Sequence, residues 1–198
     1  MKIQILLLVL FISITYTRGQ GELTVVDHQM TISGTSTMHD WVMSAEKMAI
    51  EGQFNWVDAD MAKINDLIVS IEATDLKSDK GKIMDKNTFK AIKGDACPEI
   101  TFELTGVSEV QKSQKNFTIV CEGNLTLAGT QKPITIETIG TWVTPDQLII
   151  RGTEKLNMTT FGIEPPKFFM GALKTGDEVE ITFEVTMSLA ESAISGGK

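Results

Sequence analysis

Two histidines, two cysteines and a short glycine–hydroxyl run are the residues of this chain whose types could do chemistry. His39 precedes Asp40, the pairing of a general base with a carboxylate that orients it. Acyl transfer would also need a nucleophile on a sharp turn, and no serine motif of that kind stands near. Gly34-Thr35-Ser36-Thr37 resembles a phosphate loop only superficially, because it lacks the Gly-Lys-Ser/Thr end that cradles phosphates. No His/Cys cluster has zinc spacing. His39, beside Trp41, has the residue type of an axial haem ligand, but no second ligand is evident; the plainer reading is a histidine hydrogen-bonded at a barrel end. The chain therefore reads as a non-enzyme with no required cofactor and no metal site. Asn116-Phe117-Thr118, Asn124-Leu125-Thr126 and Asn157-Met158-Thr159 match the glycosylation sequon, which matters only in a pathway with that machinery.

Two cysteines in an exported chain suggest a disulfide, but strand geometry argues against it. A hairpin at Gln111–Lys115 places Val110 opposite Asn116 and Cys121 opposite Thr105. Cys97 then lies eight positions further on, about 26 Å away and beyond disulfide reach. A different register or a bend at Pro98 would be needed to bridge them. Otherwise Cys121 reads as a small apolar core residue.

Export is read from the N-terminus. Lys2 supplies a positive start, Ile3 to Ile14 is almost wholly apolar, and Thr17 and Gly19 stand at −3 and −1 of a cleavage before Gln20. This is the pattern of a secretory signal peptide over residues 1–19, with an apolar run too short for a membrane span. The expected location is periplasmic or secreted. Loss of Lys2 and Arg18 takes the formal net charge from −8 to −10. An acidic surface of this kind disfavours a nucleic-acid partner, permits a monomer or a homodimer, and is compatible with transient membrane contact. Residues 20–192 form one domain, followed by a flexible tail, 193–198.

The elements that must position these residues are strands. From Val179 to Leu189 every odd residue is apolar and every even one is Glu, Thr or Ser, so one face is dry and the other wet. Similar alternation marks strands at Leu23–Thr35, Ile64–Thr74, Thr101–Val110, Asn116–Leu127, Lys132–Val143 and Gln147–Met158. A further irregular strand spans Trp41–Val57 around Gly52. Residues 79–93 break the alternation: Ile83, Met84, Phe89 and Ile92 fall near helical spacing, Ser78 or Asp79 can cap the start, and Gly94 ends it. The stretch Thr159–Gly176, with Pro165-Pro166, reads as an ordered loop. The fold class is all-β: an eight-stranded antiparallel up-and-down barrel with one short inserted helix, a two-sheet sandwich being the runner-up.

Strand parity points Trp41, Phe102, Ile119, Leu125, Ile136, Trp142, Phe183 and Val185 inward, with Phe54. Met84, Phe89 and Ile92 of the helix add apolar cover, as do Met158 and Phe161, Phe168, Phe169 and Met170 of the late loop. An eight-stranded barrel is either just filled by such side chains or left with room for one slender ligand. Large residues meeting at the axis, such as Trp142 with Phe102 and Phe183, would fill it. Methionines and loop aromatics outside the strands instead suit a mouth that admits an apolar guest.

Four segments resemble the YceI-like family of exported lipid-binding proteins, in a variant similar to Bacteroidetes members. They are Gly34-Thr35-Ser36-Thr37-Met38-His39-Asp40-Trp41 with Gly52-Gln53-Phe54; Met84 to Phe102, including Cys97-Pro98-Glu99-Ile100-Thr101-Phe102; Gly123-Asn124-Leu125-Thr126-Leu127-Ala128-Gly129 with Pro133-Ile134; and Leu156 to Pro166 with Gly176-Asp177-Glu178-Val179. The resemblance implies a lipocalin-like barrel whose lumen takes a polyisoprenoid, a quinone tail or a fatty amide, and it transfers no catalytic motif. The lumen residues named here are assigned by parity: Trp41, Met84, Phe89, Phe102, Ile119, Leu125, Ile136, Trp142, Met158, Phe161, Phe183 and Val185. His39, Asp40 and Lys93 are candidates for meeting a head group at the mouth.

Overall fold

The computed structural model describes residues 21–57, 61–113, 116–168 and 173–189. Residues 1–20 and 190–198, on which the expected signal peptide and tail fall, lie outside the described residues, as do Phe169 and Met170. The chain runs β1 (Gly21–Ser36), β2 (Trp41–Ala45), β3 (Ala49–Val57), β4 (Met61–Glu72), β5 (Leu76–Ser78), α1 (Lys82–Ala91), β6 (Glu99–Ser113), β7 (Asn116–Leu127), β8 (Thr130–Trp142), β9 (Gln147–Asn157), β10 (Lys167–Phe168) and β11 (Leu173–Leu189). Short 3-10 turns occupy Ala73–Asp75 and Met158–Phe161.

Among the described residues one antiparallel sheet carries all eleven strands, in the order β10-β11-β9-β8-β7-β6-β4-β3-β1-β2-β5, and β11 also pairs with β1, so the sheet curls until it meets itself. The expected count of eight strands is thus corrected. The irregular stretch 41–57 is two strands, because Glu46-Lys47-Met48 leaves the ladder and β2 and β3 pair with different parts of β1. Short β5 and β10 add two more, the latter inside the expected loop. The β1–β11 ladder, which closes the curl, runs from Leu23↔Leu189 to Ser36↔Thr175.

The hairpin between β6 and β7 is tighter than the sequence suggests. Ser113 pairs with Asn116, which moves the register three residues along β6, and the bulge at Val107/Glu109 takes one back, so that Cys121 faces Val107, not Thr105; a second bulge, at Leu104/Gly106, lies beyond that pair. A bulge sets two residues against one, which is invisible to a count along a regular strand. Both cysteines are free.

The helix is shorter than 79–93. Gly81, not Ser78 or Asp79, holds its N-cap position. The start is instead tied to β5 by Asp85, whose carboxylate accepts the Ser78 N–H at 2.8 Å. At the other end Lys93 takes the left-handed conformation, φ 58°, that Gly94 was expected to supply. Gly94 is small for another reason: the Phe89 ring lies against it where a Cβ would stand.

The wall is not paired evenly. The β8–β9 ladder runs from Trp142↔Leu148 only to Thr138↔Gly152, although β9 continues to Asn157. Beyond it the 3-10 turn Met158–Phe161 packs against both strands, with Phe161 1% exposed. Asp177 fastens that turn to β11 by accepting the Thr159 N–H and hydroxyl at 2.9 and 2.6 Å.

Candidate functional site

Whether the interior is filled or open is decided by where its aromatic rings lie. Phe183 on β11 is paired with Gly152 on β9, Phe117 on β7 with Gly140 on β8, and Trp41 on β2 with Gly34 on β1. Phe102 reaches diagonally over Gly123. In each case a Cβ on the glycine would collide with the ring. Directly paired residues point to the same face of a sheet, so these rings rest on the inner wall over the gaps left by the glycines. Phe102 and Phe183 therefore lie along the wall and do not meet at the axis.

The space they leave is a cavity of about 680 Å³. Its wall is built mainly of Ile, Leu, Val, Met and Phe side chains, among them the inward set Val179, Ile181, Phe183, Val185 and Met187 of β11. Every inward position that alternation assigned to β11 from Val179 to Met187 is on this wall.

At one end the cavity is plugged. Leu23, Phe54, Phe117, Ile119, Cys121, Trp142, Leu148 and Met187 form a buried cluster where β1 and β7 begin and β11 ends. A second cluster, centred on Met43, Ile71, Leu125, Phe161 and Val179, surrounds the other half. The exposed lining residues, Met38, His39, Lys80, Ile83 and Lys174, all lie beyond that second cluster, so the cavity opens there. Met38 and Ile83 are 65% and 81% exposed, placing apolar groups on the rim. Helix α1 flanks the opening and turns Met84, Asn87, Thr88 and Ala91 toward the cavity, a spacing that keeps them on one helical face.

The glycine–hydroxyl run serves this mouth as a turn. Ser36 Oγ accepts the N–H groups of Met38 and His39 at 3.2 and 3.1 Å and donates to the His39 carbonyl at 2.6 Å. Trp41 Nε1 donates to the Thr35 carbonyl, and Thr37 exchanges hydrogen bonds with the Lys174 backbone on β11. The serine satisfies backbone groups within a tight turn, as Ser-initiated turns do.

Of the residues assigned by parity, Trp41, Met84, Phe102, Ile119, Leu125, Ile136, Met158, Phe183 and Val185 line the cavity. Phe89, Trp142 and Phe161 do not. Phe89 packs over Gly94 and holds the helix to the sheet. Trp142 closes the plugged end, and Phe161 fills the seam where β8 and β9 part. Of the mouth candidates, His39 lies on the lining, its Nδ1 2.9 Å from the Asp40 carbonyl; Asp40 and Lys93 are off it. Lys93 lies instead near the Gly162 turn. Among the described residues no group of three or more His, Cys, Asp or Glu side chains could hold a metal.

Parity also reaches residues not singled out from sequence: Met43, which is 1% exposed, Ile181, and Glu154. Leu148, Ile150, Glu154 and Leu156 are the inward residues of β9, with Gly152 between them. Burial pushes the Glu154 carboxyl above the usual carboxylate range, against a smaller opposing effect of the Lys155 N–H that donates to it. Burial likewise pushes the Cys121 thiol up, partly offset by a hydrogen bond with Thr138. A thiol so placed is an unreactive wall residue.

Known proteins resemble this architecture. A family model described as the YceI-like domain matches residues 20–187. The Burkholderia cenocepacia protein BcnA superposes with a TM-score of 0.64 at 14% identity, over 82% of this chain and 99% of that one. A polyisoprenoid binding domain from Saccharophagus degradans, implicated in plant cell wall breakdown, gives 0.60 at 7% identity over 85% and 98%. The Campylobacter jejuni YCEI protein gives 0.59 at 16% over 75% and 85%. No curated protein matches the sequence. Among the described residues no helix is long and apolar enough to cross a membrane.

Proposed function

The chain belongs to the YceI-like family, and from that premise we propose that it is an exported, non-catalytic carrier that holds one long apolar chain in its lumen. The cargo class is a polyisoprenoid, an isoprenoid quinone or a fatty amide, taken up for sequestration or transport. One observation carries this reading: the wall aromatics lie over glycines, leaving about 680 Å³ of mostly apolar space open at one end. The polyisoprenoid-binding description of the Saccharophagus neighbour supports the class of cargo.

The driving force needs no directional contact. Each Å² of apolar surface removed from water contributes roughly 25 cal/mol, so a chain gains affinity in proportion to the length it buries. Discrimination among chains comes from the width of the lumen between Phe102, Phe183 and Trp41, and from its plugged end, which sets a maximum depth. The mouth adds polar contacts for whatever part stays near water, through Ser36, His39, Lys80 and Lys174.

The test is native mass spectrometry of the protein purified from its host without detergent, followed by organic extraction and lipid analysis. One isoprenoid or fatty chain per protein is the expected result. A clean unliganded mass that does not change on incubation with ubiquinone and a polyprenol would overturn the carrier reading.

A further inference from the structure

Glu154 is the anomaly of the cavity wall. It sits at an inward position of β9, between Gly152 and Leu156, and is paired across β11 with the apolar Ile181. It lies just past the last β8–β9 pair, Thr138↔Gly152, where β8 no longer covers β9. The other ionisable side chains on the wall are His39, Lys80 and Lys174 at the mouth and Cys121 in the plugged cluster. Besides the N–H of the adjacent Lys155, no hydrogen bond or ion pair reaches the Glu154 carboxyl among the described residues. The charges of Lys155, Glu178 and Glu180, which bridge one another, lie on the outer face of the same two strands.

A carboxyl facing an apolar lumen costs free energy unless something compensates it, so such groups are ordinarily paired. A bound guest is the group that can supply the missing partner. A carboxylate is an acceptor only, and its strongest partners are an ammonium or a hydroxyl donor. The same charge repels a carboxylate or phosphate brought to the same depth. Along β9, Glu154 lies six residues above Leu148 in the plugged cluster, about 20 Å at the strand rise, which leaves the lower lumen free for an apolar chain.

We propose that Glu154 is the specificity-determining residue of the cavity: it accepts a hydrogen bond from the polar end of the cargo, so that the lumen selects chains ending in an alcohol or amine over chains ending in a carboxylate or phosphate. This rests on the carrier reading and narrows its cargo to donor-ended lipids. Lys174, at the rim, stands seven residues along β11 from Ile181, the partner of Glu154, about 23 Å at the strand rise.

Stearyl alcohol, stearylamine and stearate share one chain and differ only at the end, so they separate head group from tail. Each is titrated against the protein preloaded with the apolar fluorophore N-phenylnaphthylamine, and displacement is read as loss of fluorescence. Wild type is expected to bind the amine and the alcohol about tenfold or more tightly than stearate. In Glu154→Gln, which keeps size and shape, the gap between amine and stearate should collapse. Glu154→Leu should bind stearate more tightly than wild type does, and thermal melts of both variants establish that they fold. Equal affinity for all three ligands in wild type, or an unchanged ranking in Glu154→Gln, would show that the carboxyl only satisfies the Lys155 N–H and would overturn the proposal while leaving the carrier intact. Failure of wild type to take up the fluorophore or any of the three chains would overturn both.

Discussion

Phe117 and Phe183 each lie over a glycine of the neighbouring strand, but in opposite surroundings. Phe117 rests on Gly140 within the plugged end, among Leu23, Phe54, Trp142 and Leu148. Phe183 rests on Gly152 higher on the wall, partly exposed to the cavity. The same local device yields a packed core at one end and an open lumen at the other. What differs is the supply of large side chains from other strands. Trp142 and Leu148 face each other across the β8–β9 hairpin and fill the space that Phe117 leaves. At the level of Phe183 and above, β9 contributes Gly152 and Glu154 instead. Both halves of the barrel thus have buried clusters, but only at the plugged end do the large side chains close the interior.

The contrast is broken most strongly by removing packing from the plug. Leu148 is 1% exposed, and Leu148→Ala should cost about 2–5 kcal/mol, the range for a buried leucine whose site cannot collapse. Met84→Ala, on a partly exposed helical face over the cavity, should cost less than about 1 kcal/mol. Urea unfolding of the two variants measures both. Equal losses would mean that the cavity wall is packed as tightly as the plug.

A matched pair of glycine substitutions sharpens the same contrast. In Gly140→Ala the new methyl displaces the Phe117 ring into residues already in contact, so a loss of about 1–3 kcal/mol from overpacking is expected. Gly152→Ala likewise meets the far end of a ring, Cζ of Phe183, but Phe183 is only half-buried and its ring has lumen to swing into. Stability should then change by less than about 1 kcal/mol, while affinity for a long chain falls by about tenfold because the ring now occupies the space of the guest. Melting curves and fluorophore displacement on both variants separate the two effects. If Gly152→Ala binds as wild type does, the rings over glycine do not set the lumen width.

Much of this was legible before the structure. Residue parity alone assigned the inner face of β11, and the same rule brought Trp41, Phe102, Ile119, Leu125 and Ile136 to one cavity. Parity gives the face a side chain leaves from, but not where its ring ends up. Phe102 and Phe183 could as well have crossed the axis, and only the glycines on the next strand let them lie flat. That signal is present in the sequence but becomes readable only with the register, which the two bulges in β6 conceal. Phe161 and Trp142 were misplaced on the cavity for a related reason. They are inward and apolar, yet one fills the β8–β9 seam and the other the plug, and neither feature follows from a single strand. Glu154 is the converse case. Its parity was plain, but a charged residue in a strand is ordinarily taken to face water.

The smallest expected effect bears on that residue and on whether the open half carries a cost the plug does not. Because burial raises the folded-state pKa of Glu154 above its unfolded value, the folded protein binds its proton more readily. Below the ordinary carboxylate range both states are protonated and the residue contributes no pH-dependent difference. As pH rises through the unfolded pKa and then the folded one, the carboxylate becomes charged against an apolar wall and stability falls by a small amount. Glu154→Gln cannot ionise, so it should match wild type in pH dependence at the acidic limit and gain relative to it as pH rises toward neutrality. Screening by water in the open lumen keeps the gain modest. Unfolding midpoints of the unliganded proteins across that pH range measure it. A difference independent of pH would mean that Glu154 already has a full complement of partners in the empty cavity, and the donor it is expected to find in a guest would then have no vacancy to fill.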